Sequence, residues 1–439
     1  MLRRATMGCI ATLAFSSALQ AQTLSMPDRL TPADPIPVAA TGLPPRTEVT
    51  IAAERRIGKA RFASRAVFLS GSDGAIDLAT AQPIAGDYQG IDPAGLFWSM
   101  RPLSAGESNA ATPLPADSVR LTLLIDGKPV TTRAATVAPD PQIVSEEVSG
   151  FPAARLYRHC GTQRRPVIII LGGSEGGSET GRTLGPQFAA LGYAALALPY
   201  YSPGWTGREI PELSASFADI PVDRLEQVRD WIARRPDLDA RRIGLYGVSK
   251  GGEFALLAAS RFPWLRAVAA IVPSDVVWEG WGPDVKSPGT RSSFSWRGKP
   301  LPFMPYRDID GLITDLSRGR ISRLRLAHDE GRAAHPALEA FARIPVERFR
   351  GALLVAGGDA DGTWASGPMA RAMAARRARY GLRTTLLTFP DAGHGLSGTG
   401  WEPMNWPGAD AAPGSTARAR AEVRAATLAL FAQALRVGK

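Results

Sequence analysis

Ser249 lies in a Gly-x-Ser-x-Gly pattern that suits a serine acting as a nucleophile. Residues 247–251 read Gly-Val-Ser-Lys-Gly, after an apolar segment typical of a strand and before a helix-forming segment that begins near Glu253. Between a strand and a helix this turn is so tight that only small residues fit at Gly247 and Gly251. It lifts the serine hydroxyl above the sheet, at the positive end of the helix. The pattern predicts a nucleophile, with a glycine-rich turn around an inert serine as the alternative.

A nucleophilic serine needs a base, and His394 is the histidine in the best position. Where a serine lies on such a turn, the chain order is serine, acid, histidine. His394 directly follows an apolar strand-like segment near the C-terminus, in the sequence Asp-Ala-Gly-His-Gly at 391–395. The other three histidines precede the serine or lie in a long segment of charged and small residues: His159, His328 and His335. We predict that His394 is the base, with a structural loop histidine as the alternative.

The carboxylate that orients this base should follow the preceding strand, where two aspartates compete. The segment Gly-Gly-Asp-Ala-Asp-Gly at 357–362 contains both of them. The usual Gly-x-x-Asp spacing, counted from Gly358, selects Asp361. Asp359 would then be a turn residue that accepts hydrogen bonds from nearby backbone amides. We favour Asp361 and keep Asp359 as the alternative.

Acyl transfer also needs two backbone donors for the oxyanion that forms on the substrate. The N–H of Lys250, next to the nucleophile, is expected to supply one. The loop after the first buried strand supplies the other, from Gly173 or Ser174. This glycine-rich run, 172–177, could instead cradle a phosphate, but it lacks the Gly-Lys-Ser/Thr ending of such loops. We therefore predict an oxyanion hole here.

The elements that hold these residues change character near residue 140. Residues 22–140 alternate in the manner of β-strands and include a hairpin signal, Asp-Gly, at 126–127, which predicts a small all-β sandwich. Residues 141–439 alternate strands with helices, which predicts an α/β-hydrolase: a doubly wound, mostly parallel sheet. A segment at about 275–345 is too long for a simple connection and is expected to form a cap-like insert. Aromatic residues of this insert would line an acyl pocket or pack the core of the cap: Trp278, Trp281, Trp296 and Phe303.

The first 21 residues resemble a secretory signal. A basic start at Arg3 and Arg4 precedes a short apolar run, and Ala21 fits the last residue before cleavage. We therefore expect export, to a periplasm, with a cytoplasmic location or an uncleaved anchor as alternatives. Of the two cysteines, Cys9 would leave with this segment and Cys160 would remain. The mature chain is then expected to contain no disulfide and no thiolate metal site, and no cofactor is predicted.

The formal net charge of +10 comes mostly from arginines scattered along the chain. A nucleic-acid interface would need a clustered basic face with interleaved aromatic residues, which the sequence does not offer. A solvated surface is the favoured interpretation, and a basic entrance for an anionic substrate stays open. After the first 21 residues no segment has the length and apolar content of a membrane span. The sequence does not indicate an oligomeric state.

Several longer motifs resemble one known family, the acyl-CoA thioesterases related to bile-acid-CoA:amino-acid N-acyltransferase. The likeness spans both predicted domains and rests on these segments: Gly-Leu-Phe-Trp-Ser-Met at 95–100, Leu-Pro-Tyr-Tyr at 198–201, Gly-Val-Ser-Lys-Gly-Gly-Glu at 247–253, Asp-Gly-Thr-Trp at 361–364 and Phe-Pro-Asp-Ala-Gly-His at 389–394. The resemblance implies a Ser249–Asp361–His394 triad and the cleavage of acyl thioesters.

The resemblance also bears on the reaction and the substrate. Amide-forming members of the family are similar but use cysteine as the nucleophile, so Ser249 favours hydrolysis over transfer to an amino acid. An acyl-enzyme that passes its acyl group to an amine or alcohol stays as the alternative. Family members act on acyl-CoA inside cells, whereas the N-terminal segment predicts export. Another ester or thioester is therefore an alternative substrate. A non-enzymatic binding protein on a hydrolase scaffold is the remaining hypothesis.

Overall fold

The computed structural model describes residues 21–31, 36–104, 113–204, 207–308, 311, 314, 324–404 and 411–435. The predicted signal segment, apart from Ala21, and Cys9 lie outside these residues. Within the described ranges no helix combines the length and the apolar character that a membrane crossing requires.

The N-terminal region folds into two sheets around a shared apolar core. Among its described residues the strands are β1 Thr23–Ser25, β2 Arg29–Leu30, β3 Ala39–Thr41, β4 Glu48–Ile57, β5 Ala60–Leu69, β6 Ile76–Asp77, β7 Ala85–Gly86, β8 Arg101–Pro102, β9 Ser118–Ile125 and β10 Lys128–Val137, and a short helix, α1, spans Gly95–Trp98. The larger sheet has the order β2-β10-β9-β4-β5-β7, with β8 beside β5, and the smaller has the order β1-β3-β6. Burial alternates along β4 and β5, as expected when one face of a sheet covers a core.

The hairpin between β9 and β10 forms at the Asp-Gly pair. Both central residues have positive φ, 49° at Asp126 and 73° at Gly127. Two such residues match the right-handed twist of the strands they join. The turn pairs Ile125 with Lys128 and so fixes the register between β9 and β10, which lie between β4 and β2 in the sheet.

The second region is a mixed sheet of eight strands covered by helices. Its strands are β11 Ile143–Glu147, β12 Arg155–His159, β13 Arg165–Leu171, β14 Ala194–Ala197, β16 Leu238–Val248, β17 Leu265–Ile271, β20 Ala352–Gly358 and β21 Thr385–Phe389, in the order β11-β12-β14-β13-β16-β17-β20-β21. From β14 to β21 all neighbours are parallel, and β11 and β12 add an antiparallel edge. The helices are α2 Glu179–Ala190, α3 Arg224–Ala233, α4 Lys250–Ala259, α5 Leu324–Ala334, α6 Glu339–Ala342, α7 Ser366–Ala378 and α8 Pro413–Ala434.

Helices cover this sheet on both faces. Apolar residues of α3, α4 and α7 join one buried cluster, and those of α2 and α8 join another on the opposite face. The central strand β13 is apolar and buried from Pro166 to Leu171, as expected for a parallel strand covered on both sides. The predicted fold class, an α/β-hydrolase sheet preceded by an all-β region, is confirmed.

The segment between β17 and β20 forms the insert. Two of its short strands, β18 Phe294–Trp296 and β19 Lys299–Pro300, form a small sheet with β15 Ile220–Pro221. Trp278 is fully buried, and the other three aromatic residues singled out from the sequence pack against the same cluster: Trp281, Trp296 and Phe303. Trp278 is thus part of the apolar core of the catalytic region, and the other three rings lie against that core with part of their surface exposed.

Candidate active site

The predicted turn places Ser249 between β16 and α4 in a strained conformation. Ser249 has φ 55° and ψ −121°, a backbone conformation that side-chain-bearing residues rarely adopt. A Cβ on Gly247 would lie 2.1 Å from the carbonyl oxygen of Gly251, and a Cβ on Gly251 would lie 2.2 Å from that of Gly172. The glycines are therefore required by close backbone contacts, and they present the Ser249 side chain at the carboxyl end of β16.

The structure brings Ser249, His394 and Asp361 together at the carboxyl ends of three parallel strands. His394 Nε2 lies 2.9 Å from Ser249 Oγ, and His394 Nδ1 lies 2.8 Å from Asp361 Oδ2. An ionised carboxylate can only accept, so Nδ1–H donates to it, and Nε2 is left as the acceptor for the serine hydroxyl. This is the hydrogen-bond order in which an imidazole can remove the serine proton.

Asp361, rather than Asp359, faces the histidine. Its side chain is buried and accepts from the N–H groups of Thr363 and Trp364 and from the hydroxyl of Ser366. Burial alone would raise the pKa of Asp361, but the charge of His394 and these hydrogen bonds hold that pKa below its ordinary value. Asp359 instead pairs with Arg371 at 2.9 Å near the surface.

The predicted oxyanion loop lies against the nucleophile. A Cβ built on Gly173 would lie 3.1 Å from Ser249 Cβ, and Ser174 follows it along the loop. Lys250 begins α4, so its N–H has no intrahelical acceptor. The N–H of Gly173, however, donates to Glu175 Oε1 at 2.8 Å. This carboxylate could not be predicted from the sequence, because its position depends on how the loop folds back.

The side chain of Lys250 is a further feature that the sequence did not indicate. Its Nζ is buried and donates to Glu253 Oε2 at 2.7 Å and to Ser293 Oγ at 3.0 Å. Three aromatic rings surround it at 5.2 to 5.5 Å: Phe217, Trp281 and Phe294. Burial lowers the pKa of Lys250 and raises that of Glu253, and each charge opposes the shift of the other. The i, i+3 spacing of Lys and Glu was the only local signal available.

His328 lies near the site but has a different environment from His394. Its ring packs edge-on against Trp364, which packs in turn against His394. Burial lowers the pKa of His328 to about 3. Its Nδ1–H donates to the carbonyl of Leu324, and its Nε2 has no partner among the described residues. A neutral, enclosed imidazole of this kind packs the insert.

Within the described part of the chain, no group of three or more His, Cys, Asp or Glu side chains could hold a metal ion. In the same part of the chain, Cys160 is exposed and forms no disulfide.

Comparison with known proteins matches both regions to one family. The family model described as acyl-CoA thioester hydrolase/BAAT N-terminal region matches residues 33–167, and that described as BAAT/acyl-CoA thioester hydrolase C terminal matches residues 220–398. The chain belongs to the acyl-CoA thioester hydrolase/BAAT family. A dienelactone hydrolase family model also matches residues 153–280, across the nucleophile turn of this family member.

Relatives of this acyl-CoA thioester hydrolase/BAAT family member carry out more than one named activity. Acyl-coenzyme A thioesterase 1 of Rattus norvegicus is 27% identical over 376 residues, which cover 82% of each chain. Acyl-coenzyme A amino acid N-acyltransferase 2 of Rattus norvegicus is 25% identical over 387 residues, covering 85% of this chain and 86% of the relative. A solved structure of a post-proline cleaving enzyme from Rickettsia typhi has a TM-score of 0.41 and 13% identity, covering 97% of this chain and 53% of that one.

Proposed function

We propose that the protein is a serine hydrolase that cleaves acyl thioesters, acyl-CoA among them, through an acyl-enzyme on Ser249. The observation that carries the proposal is the unbroken hydrogen-bond chain from Ser249 Oγ through His394 to Asp361. The strained backbone of Ser249 also supports it, because such a conformation costs free energy and is found most often at functional sites. Membership of the family supports acyl-CoA as the substrate class.

In the first half of the reaction, His394 Nε2 takes the proton of Ser249 as Oγ attacks the thioester carbonyl. Asp361 stabilises the imidazolium that forms, because its carboxylate already accepts from Nδ1–H. The carbonyl electrons move onto oxygen, where the N–H of Lys250 and an N–H of Gly173 or Ser174 stabilise the charge. When the oxyanion collapses, the C–S bond breaks and the thiolate takes the proton from His394.

In the second half, water attacks the acyl-enzyme and His394 removes its proton. The C–O bond to Ser249 then breaks, and the serine oxygen regains a proton from His394. Product release returns the site to the hydrogen-bond arrangement of the free enzyme. Replacing water by an amine or alcohol in the same step would give acyl transfer, which the N-acyltransferases among the relatives support as a second candidate function.

The leaving group of the substrate depends on the compartment in which the protein is located. Export, which the N-terminal segment predicts, would separate the enzyme from cytoplasmic acyl-CoA and favour another ester or thioester. Cell fractionation followed by assays on acyl-CoAs and p-nitrophenyl acyl esters, with and without amine acceptors, tests location, leaving group and acceptor together. Free acid as the product in every mixture supports hydrolysis, and an acceptor-dependent amide supports transfer.

The test of the mechanism is Ser249→Ala. We expect loss of acyl-ester and acyl-CoA hydrolysis by about 10⁴-fold or more, and loss of labelling by a fluorophosphonate, because the acyl-enzyme cannot form. Full hydrolysis by this variant would overturn the proposal. A wild-type protein that neither hydrolyses these substrates nor takes the label would favour the binding-protein hypothesis.

A matched pair of variants tests the assignment of the acid. Asp361→Asn should lower kcat by about 10³- to 10⁴-fold, because the amide cannot hold His394 in the required tautomer. Asp359→Asn should stay within about threefold of wild type, since Asp359 pairs with Arg371 at the surface. The reverse result would make Asp359 the acid.

A further inference from the structure

Glu175 follows the predicted oxyanion loop, and its carboxylate binds one of the backbone N–H groups of that loop. The loop turns back after Ser174, with Gly176 N–H donating to the carbonyl of Gly173 at 3.3 Å. Gly176 and Gly177 make this possible with φ values of 64° and 63°, which favour glycine. Because of this turn the carboxylate of Glu175 reaches back over the loop that precedes it.

The carboxylate occupies one of the backbone N–H groups predicted to stabilise the oxyanion. Glu175 Oε1 accepts from Gly173 N–H at 2.8 Å. A Cβ built on Gly173 would lie 2.6 Å from Glu175 Oε2 and 3.1 Å from Ser249 Cβ. The carboxylate and the nucleophile are therefore both close neighbours of Gly173. A single N–H donates well to one acceptor at a time, and a carboxylate accepts more strongly than a neutral carbonyl oxygen.

We propose that Glu175 is a further residue of the active site, whose carboxylate closes the oxyanion hole in the free enzyme and must be displaced by the substrate carbonyl oxygen. The inference rests on the proposed acyl-enzyme function. A developing oxyanion competes with the carboxylate for Gly173 N–H far better than a ground-state carbonyl does. Displacement therefore selects for the transition state over the bound substrate.

The contacts of Glu175 allow this displacement. Its side chain is exposed, and within the described residues it forms no ion pair that would hold it in place. Its second donor is the hydroxyl of Thr180 in the first turn of α2, at 2.6 Å from Oε1. The loop itself is fixed independently, because the hydroxyl of Tyr200 donates to the carbonyl of Gly172 at 2.6 Å. The carboxylate can leave Gly173 while the backbone donor stays in place.

Three variants test the proposal by their rates of fluorophosphonate labelling and by kcat/KM on a neutral p-nitrophenyl ester. Glu175→Ala removes the competing acceptor and should raise both rates by about three- to tenfold. Glu175→Gln keeps an acceptor without the charge and should lie between Glu175→Ala and wild type. Glu179→Ala is the control, because Glu179 is an exposed neighbour that binds Arg182 and should leave both rates unchanged.

The order of the rates decides the outcome. If Glu175 only held the loop in shape, Glu175→Gln would behave like wild type and Glu175→Ala would be slower, which would overturn the proposal. Equal rates in all four proteins would overturn it as well. Failure of the acyl-enzyme function is recognised separately, because the wild type would then take no label at Ser249.

Discussion

At the scale of single residues, His328 should make the stability of the fold depend on pH below about 6.5. It is fully enclosed by the rings of Trp278, Tyr306 and Trp364, and burial lowers its pKa to about 3. In the unfolded chain an ordinary histidine has a pKa of about 6.5. Between these two values the unfolded state binds a proton that the folded state excludes, so stability must fall as the pH falls from about 6.5 towards 3.

His328→Phe should remove this dependence. We expect the free energy of unfolding of the wild type to drop by up to about 1.4 kcal/mol per pH unit more than that of the variant over this range. Urea denaturation at several pH values measures the difference. His335→Phe, at an exposed position, is the control and should keep the wild-type slope. Parallel slopes for wild type and His328→Phe would show that His328 is protonated without cost in the folded protein.

At the scale of elements, Lys250 and Glu253 tie the nucleophile turn to the insert. Lys250 reaches Ser293, and Glu253 Oε1 accepts from the N–H of Trp278 at 3.2 Å. Both partner residues belong to the insert, whereas the pair itself lies in the first turn of α4. The helix turn that carries the Lys250 N–H assigned to the oxyanion is therefore tied to the insert by two side-chain hydrogen bonds.

Replacing only Lys250 should lower the free energy of unfolding more than replacing both residues of the pair. Lys250→Met leaves the Glu253 carboxylate buried without its cation, and we expect a loss of about 3 to 5 kcal/mol in the free energy of unfolding. In Lys250→Met/Glu253→Gln the amide oxygen can still accept from Trp278, so the double variant should recover part of that loss. Urea denaturation of the wild type, the two single variants and the double variant measures the coupling free energy between Lys250 and Glu253.

Lys299→Met serves as the control, because Lys299 is exposed and should change stability by less than about 0.5 kcal/mol. A double variant less stable than Lys250→Met would show that Glu253 does not depend on this cation.

The elements differ in how far their sequence could reveal them. The turn at Ser249 was predictable because steric limits at Gly247 and Gly251 act over five neighbouring residues. The α/β sheet was predictable because buried parallel strands such as β13 need continuous apolar runs. The surroundings of Lys250 were not, because Ser293 and Phe294 come about forty residues later in the chain and only folding brings them together. Glu175 was not predicted either, because its contact with the Gly173 N–H depends on the way in which a single loop turns back.

At the scale of the whole molecule, the N-terminal sandwich contacts the segment that follows His394. Arg55 on β4 lies 4.4 Å from the centre of the Trp401 ring and donates to the Trp401 carbonyl at 3.4 Å. Phe97 packs edge-on against the same ring. Burial lowers the pKa of Arg55 to about 10, with Glu402 and Asp117 opposing the shift, so its guanidinium stays charged at neutral pH. The sandwich therefore places a buried cation against the segment that follows His394.

This contact continues to the residue next to His394. Glu402 follows Trp401 and accepts from Arg420 Nη1 at 3.4 Å and from the N–H of Thr399. Arg420 Nε in turn donates to the carbonyl of Gly395 at 2.7 Å. Displacing Trp401 would disturb Glu402 and Arg420, and through them the backbone beside the base.

We expect Arg55→Met to lower kcat by about tenfold while leaving KM within about twofold, because the acyl site is intact but His394 is less well positioned. Arg133→Met is the control: Arg133 is an exposed residue of the sandwich that pairs with Asp28 and donates to the Met26 carbonyl, so this variant reports the loss of an arginine contact within that region. Steady-state kinetics well below the unfolding temperature of each protein compare them. Equal kcat values in the two variants would mean that the sandwich only packs against the catalytic region. A kcat reduced only in Arg55→Met would mean that the N-terminal sandwich helps to hold His394 in position.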